Sequence, residues 1–237
     1  MTDLCIVSPS SAPEWSLLGD RVFLQAGWKH PPLELLSEHY VILDIQHPVS
    51  SAIPSMAPPP MPLSEYYSVI RKILPDEVIV PDVLFDGVAT LLRAKAFFEN
   101  MPGDIREREL HYMFVPQGHS LDEWLHSRDD LTENFSYVLD VIGLPMHLER
   151  FTSRTSLLEE VPSYCKVHFL GCWKGYGELV GNPRIRSWDT SLPISAAQVG
   201  MYLRDQTPLY KPHLVEGAPV NSAAAIANIQ FCKKLLE

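Results

Sequence analysis

Five places in the sequence offer groups that could work on a sugar and a planar base: Asp44, Asp82, Gln117 with Gly118, the Gly143–Leu144 step, and Asp189. Two carboxylates in one pocket supply a nucleophile and a general acid/base at a glycosidic carbon. Carboxylate, amide and main-chain groups together present donors and acceptors that match the edge of a base. Each residue also has an ordinary alternative. An Asp after a strand often caps the next helix, so Asp189 could cap one after Pro193 and Asp82 one starting near Phe85. Gln117 before Gly118 could be a turn residue. Capping does not suit Asp44, because no helical pattern follows it. What unites the set is position: every member stands at the end of a short β-rich run.

Those runs are the elements that must position the groups. They are Cys5–Pro9, Val22–Gly27, Tyr40–Ile45, Glu77–Val83, His111–Gln117, Tyr137–Met146, Lys166–Cys172 and Arg184–Thr190. Most are near-continuous apolar stretches, as expected of strands covered on both faces of a parallel sheet. Helical patterns lie between them. Leu63–Leu74 places Leu63, Tyr66, Tyr67, Ile70 and Leu74 on one stripe, with Ser64 as N-cap and Pro75 as stop. Leu84–Asn100 is a second helix, ended by Met101-Pro102-Gly103. Ser120 and Glu123 form a capping-box pattern that opens a third, and Ala196–Leu203 and Ala223–Leu236 are further helices. Eight strand–helix units predict an α/β chain folded as a lean (β/α)8 TIM barrel, one domain over residues 1–237. A doubly wound sheet is the alternative, but no Gly-x-Gly-x-x-Gly or Walker A pattern follows any run. In a barrel the strand C-terminal ends converge on one pocket. The Pro-rich segment 47–62 then becomes a loop over that pocket, with a plain solvent loop as its alternative.

Composition narrows the partners. The chain has 237 residues, 46% hydrophobic and 20% charged, which excludes a disordered chain. A formal net charge of -10 argues against holding nucleic acid by bulk charge and leaves a local basic patch or a basic partner chain. No stretch reaches the ~20 apolar residues of a membrane helix, and the start, MTDLCIVSPSS, lacks a basic secretory n-region. Cys5, Cys165, Cys172 and Cys232 show no Cys-x-x-Cys spacing and no zinc pattern, so they read as reduced core residues of a cytoplasmic protein.

The ordered segments Val80-Pro81-Asp82, Met113-Phe114-Val115-Pro116-Gln117-Gly118, Ile142-Gly143-Leu144-Pro145, Val167-His168-Phe169-Leu170-Gly171 and Trp188-Asp189-Thr190-Ser191-Leu192-Pro193 resemble the tRNA-guanine transglycosylase superfamily. The likeness is closest to its short relatives from phages and DNA-modification clusters, and it spans roughly residues 40 to 200. The resemblance implies a (β/α)8 barrel that exchanges guanine in DNA for a 7-deazaguanine such as preQ0, protecting the DNA from restriction. It implies Asp189 as the nucleophile before Leu192-Pro193. It implies Asp82, Gln117, Gly118 and the Gly143–Leu144 backbone as the base-binding groups, and Asp44 as the general acid/base. Two departures stand out. Ile45-Gln46-His47 replace the small residues that usually follow the acid/base aspartate, and the C-terminal three-cysteine, one-histidine zinc site is missing. The second departure weakens tRNA as the expected substrate and leaves DNA, or a free nucleoside or nucleotide. No cofactor or metal is expected, and the compartment is the cytoplasm, the host's if a phage encodes the chain. A partner protein or a homodimer stays open. Other readings are an N-glycosidase and a non-catalytic nucleic-acid-binding subunit. For DNA contact the sequence offers Arg150 and Arg154 around Phe151, and Lys166, Lys174, Arg184 and Arg186 near the last two strands. Trp173 and Tyr176 could stack on a flipped base.

Overall fold

A computed structural model of the chain describes residues 2–9, 11–26, 33–45, 61–171, 182–203, 212 and 214–235. Eight parallel strands close into one barrel in sequence order. They are β1 (Asp3–Ile6), β2 (Arg21–Gln25), β3 (Val41–Asp44), β4 (Glu77–Ile79), β5 (His111–Phe114), β6 (Val141–Pro145), β7 (Lys166–Leu170) and β8 (Ile185–Thr190). Closure pairs β1 with β8, Cys5 opposite Asp189, and leaves no strand edge in the ring. Each of the eight predicted runs overlaps one strand, and each strand is shorter than its run; β1 starts two residues and β2 one residue before the run predicted for it. The widest difference is at β6, where Tyr137 is 75% exposed and pairing begins only at Val141.

The helices are α1 (Leu33–Leu36), α2 (Leu63–Ile73), α3 (Gly87–Glu99), α4 (Gly103–Arg106), α5 (Leu121–Phe135), α6 (Leu192–Gln198) and α7 (Ser222–Lys234). Ser120 caps α5 as expected, while the Glu123 carboxylate reaches one residue further back than a capping box requires. Ser120 accepts a hydrogen bond from the Glu123 amide at 3.2 Å, and the Glu123 carboxylate accepts one from the His119 amide. Ser64 is not a cap: Pro62 occupies the N-cap of α2 without a side-chain bond. The stripe of α2 ends on Ile73, because Leu74 turns left-handed at φ 55 and swings into solvent before Pro75. The helix expected at Ala196–Leu203 starts earlier and ends sooner. Pro193 fits the first turn, where no amide is needed, and Gly200 at φ 71 lies beyond the end. Between β6 and β7 the chain runs through 3-10 turns at Met146–Arg150 and Ser156–Glu159, not an α-helix.

Side-chain alternation sets what fills the barrel. Cys5, Phe23, Ile42, Ile79, Met113 and Val141 face inward, one from each of β1 to β6, while their neighbours pack outward against the helices. On β7 and β8 three inward positions are polar, His168, Ser187 and Asp189, while Leu170 packs on the apolar inner cluster. A bulge lies between these two strands, with Val167 opposite Ile185 but His168 opposite Ser187. Arg186 is the extra residue, and the bulge aims it across the axis to Glu77 of β4, at 2.8 Å.

Candidate active site at the barrel mouth

Asp189 sits on β8 at the C-terminal mouth, 7% exposed. Its Oδ2 accepts hydrogen bonds from the Gly171 amide at 2.9 Å and from the His168 ring at 3.2 Å. Gly171, at φ 70, turns the chain just after β7, which brings its N–H to the carboxylate. His168 is completely buried, stacked on Phe23 with centroids 5.9 Å apart, and its Nδ1 lies 2.8 Å from Ser187 Oγ. Asp189 also raises the Cys5 thiol's pKa, behind the larger effect of burial. Asp189 does not cap a helix. Ser191 holds the N-cap position of α6, and Thr190 Oγ1 accepts from the Leu192 amide.

Asp82 and Gln117 meet directly. The Gln117 amide nitrogen donates to the Asp82 carboxylate, and both side chains are buried. The Gln117 oxygen accepts from the Phe85 amide at 3.1 Å, and the Gln117 main-chain N–H bonds Ser127 Oγ. Gln117 is therefore a bridge between two strand ends, not a turn residue. Asp86, not Asp82, caps α3 by accepting from the Ala89 amide. Asp44 ends β3 and is half-buried. Its charge and that of Asp82 both raise the pKa of the buried Tyr66 phenol, after burial itself. Tyr66 donates to the carbonyls of Leu43 and Ile79, so one phenol pins the ends of β3 and β4 and sits between the two carboxylates. Arg93 also feels Asp82, although burial lowers its pKa overall.

The remaining expected base-binding positions are tightly packed. A Cβ on Gly118 would lie 2.6 Å from the Trp124 amide nitrogen, so the glycine lets the start of α5 approach β5. A Cβ on Gly143 would lie 2.9 Å from both Leu170 and Val115. The Leu144 carbonyl accepts from buried Arg154, which also bonds the Leu170 carbonyl, pairs with Glu149 and lies over the Phe169 ring.

A ring of aromatic and imidazole groups covers this side of the mouth. Phe85, in the left-handed region at φ 65, stacks on His119 and meets His147 edge-on at 4.7 Å. Such a conformation costs about 1–3 kcal/mol in a non-glycine residue; here the bond to Gln117 holds it. Arg150 lies 5.6 Å from the Phe85 ring centre. Burial, then the nearby Arg150 charge, lowers the His147 pKa to about 4. Its Nε2 is buried without a hydrogen-bond partner.

The basic residues fall elsewhere than expected. Lys166 and Arg184 stand at the starts of β7 and β8, at the opposite end of the barrel, and Arg186 is turned inward by the bulge. Arg184 spends its guanidinium on the carbonyls of Leu158, Val161 and Pro162, and Arg154 is wholly internal. Among those of these cations that the structure describes, Arg150 is the exposed one at the mouth. Lys174, Trp173, Tyr176, Cys172 and all of the Pro-rich segment 47–62 except Met61 and Pro62 lie outside the described residues. Among the described residues no cluster of His, Cys, Asp and Glu is arranged to hold a metal, and no helix is long and apolar enough to cross a membrane.

Comparison with protein-family models and with curated proteins finds no match to the chain. Sequence reasoning named Asp44, Asp82, Gln117 and Asp189 but passed over His168, Ser187 and His147. The signal for His168 was slight: one polar residue within the apolar stretch Val167–Leu170 of β7.

Proposed function

We propose that the chain is a transglycosylase that exchanges guanine in DNA for a 7-deazaguanine base such as preQ0. The observation that carries the reading is the state of Asp189. It is a buried carboxylate at the barrel mouth, oriented by a backbone amide and an imidazole, diametrically across the eight-stranded ring from the Asp82–Gln117 pair. The resemblance in the five ordered segments supplies the chemistry.

In this mechanism Asp189 attacks C1′ of the deoxyribose. The C1′–N9 bond breaks and its electron pair leaves with guanine, which takes a proton from the Asp44 carboxyl. The sugar stays on Asp189 as an ester. The incoming 7-deazaguanine gives its N9 proton to the Asp44 carboxylate and attacks C1′, and the Asp189 carboxylate departs. Asp82 and Gln117 read the edge of each base in turn, and the Gly143–Leu144 backbone lines the same side. Arg150 meets phosphate at the rim. The product is DNA that resists restriction.

The test incubates the protein with guanine-labelled DNA, and separately with tRNA, in the presence of preQ0, followed by nucleoside mass spectrometry. A 7-deazaguanine deoxynucleoside, absent with Asp189→Asn, is the expected result. Labelled guanine released without replacement would make the protein an N-glycosidase. No release from either polymer would remove the transferase reading.

A further inference from the structure

We propose that His168 is a positioning residue for Asp189, and that its tautomer is dictated from the opposite end of the barrel by Glu77, Arg186 and Ser187. The proposal rests on the reading of Asp189 as nucleophile. A continuous polar file runs along the barrel interior. Tyr40 donates to Glu77 Oε2 at 2.9 Å, and Arg186 pairs with Glu77 Oε1 at 2.8 Å. Arg186 Nε donates to Ser187 Oγ over 3.4 Å, Ser187 Oγ meets His168 Nδ1 at 2.8 Å, and His168 Nε2 meets Asp189 Oδ2 at 3.2 Å.

The proton inventory fixes the direction of each bond. Arg186 has only protons to give, so Ser187 Oγ accepts there. Ser187 Oγ keeps one proton and a second lone pair, and in the arrangement we assign that proton points to His168 Nδ1, which accepts. The ring proton therefore sits on Nε2 and is donated to Asp189. The reverse tautomer would turn a nitrogen lone pair towards the carboxylate and leave the serine proton without an acceptor. The other ionisable groups around this file are Cys5 on β1, Arg21 on β2 and Tyr40 at the start of β3, and none of them lies between Ser187 and the ring.

The geometry has a consequence for the attacking atom. Among the described residues both hydrogen bonds to Asp189 fall on Oδ2. Oδ1 is then the oxygen that attacks C1′. The Phe23 stack stops the imidazole from rotating away, so the carboxylate keeps one orientation through both half-reactions.

Two measurements test this. Long-range proton–nitrogen NMR on 15N-histidine-labelled protein reads the His168 ring directly. A neutral ring protonated at Nε2 is expected, and Ser187→Ala should turn it into a tautomer mixture. A ring protonated at Nδ1, or at both nitrogens, would overturn the proposal. The exchange assay then separates kcat from KM. His168→Phe keeps the stack but removes both nitrogens, and should lower kcat on the order of 10²-fold with unchanged KM for DNA and base. His168→Gln places an amide donor near the Nε2 position and should restore most of that loss. Equal losses in the two variants, or a loss confined to KM, would sink the positioning role. If the unaltered protein exchanges no base, the transferase reading fails, while the tautomer measurement still decides the file. It needs no variant, so a misfolded His168→Phe would not obscure it.

Discussion

Glu77 and Asp189 are both carboxylates buried inside the same barrel, and they are held in opposite ways. Glu77, at the N-terminal floor, is fully buried and answered by a cation, Arg186, together with the Tyr40 hydroxyl. The pairing is strong enough that the Arg186 pKa rises although burial pulls it down. Tyr40 moves up as well, first through burial and then through the Glu77 charge. Around them Arg21 pairs with Asp3 and lies over the Tyr40 ring. Asp189, at the mouth, receives a backbone amide and an imidazole, donors that orient a carboxylate without neutralising it. The floor spends its charges on one another, and the mouth keeps one in hand. The same division between stabilising and reacting ends is general to this architecture.

The sharpest way to break that comparison is to remove each charge in turn. Asp189→Asn should abolish base exchange, a loss of roughly 10³-fold or more for a missing nucleophile, with little change in thermal melting. An active Asp189→Asn enzyme would end the mechanism. Glu77→Gln should do the reverse. It strands the Arg186 charge in the interior, which costs about 3–5 kcal/mol of stability when one partner of a buried pair is lost. Urea unfolding would show it as a lower midpoint. A Glu77→Gln protein as stable as the parent would mean that the pair is not a structural plug.

Asp82→Asn addresses the mouth alone, with a smaller effect. The Asp82–Gln117 bond loses its charge, and a mispaired amide in a buried site costs about 1–3 kcal/mol. The expected result is a 10- to 100-fold loss in selectivity between guanine-type and other bases, with α3 intact because Asp86 caps it. Loss of α3 hydrogen-exchange protection in this variant would instead make Asp82 a structural residue.

The barrel was legible in the sequence because its signal is physical and local. Strands covered on both faces must be apolar throughout, and eight such runs recur between helical patterns. The carboxylates and the amide were legible for the same reason, as polar groups ending apolar runs. What was not legible depends on contacts between distant residues. Glu77 and Arg186 are 109 positions apart, and only the β8 bulge turns Arg186 inward. Lys166 and Arg184 begin strands whose ends reach the pocket, so proximity in sequence put them at the wrong end. His168 in an apolar strand looks like core, and its role emerges only when Ser187 and Asp189 arrive beside it from β8. Ser64 and Leu74 differ for local reasons: Pro62 takes the N-cap two residues earlier, and a left-handed residue closes the helix.

His147 gives the mildest probe, one that uses pH instead of mutation at the reacting centre. Its pKa of about 4 in the folded protein lies below the ordinary value near 6.5, because burial and Arg150 disfavour the imidazolium. Between those two values the unfolded chain binds more protons than the folded one, so stability rises with pH across this window. The contribution is fully present above about pH 6.5 and is lost as pH falls towards 4. The ring is only partly buried, so solvent screening reduces the effect to about 1–2 kcal/mol. His147→Phe keeps the edge contact with Phe85 and has no proton to bind. Melting curves from pH 7 to pH 4 should therefore fall less steeply for this variant than for the parent. Parallel curves would show that His147 titrates alike in both states. A steeper fall in the variant would mean that His147 does not carry the acid response of the mouth.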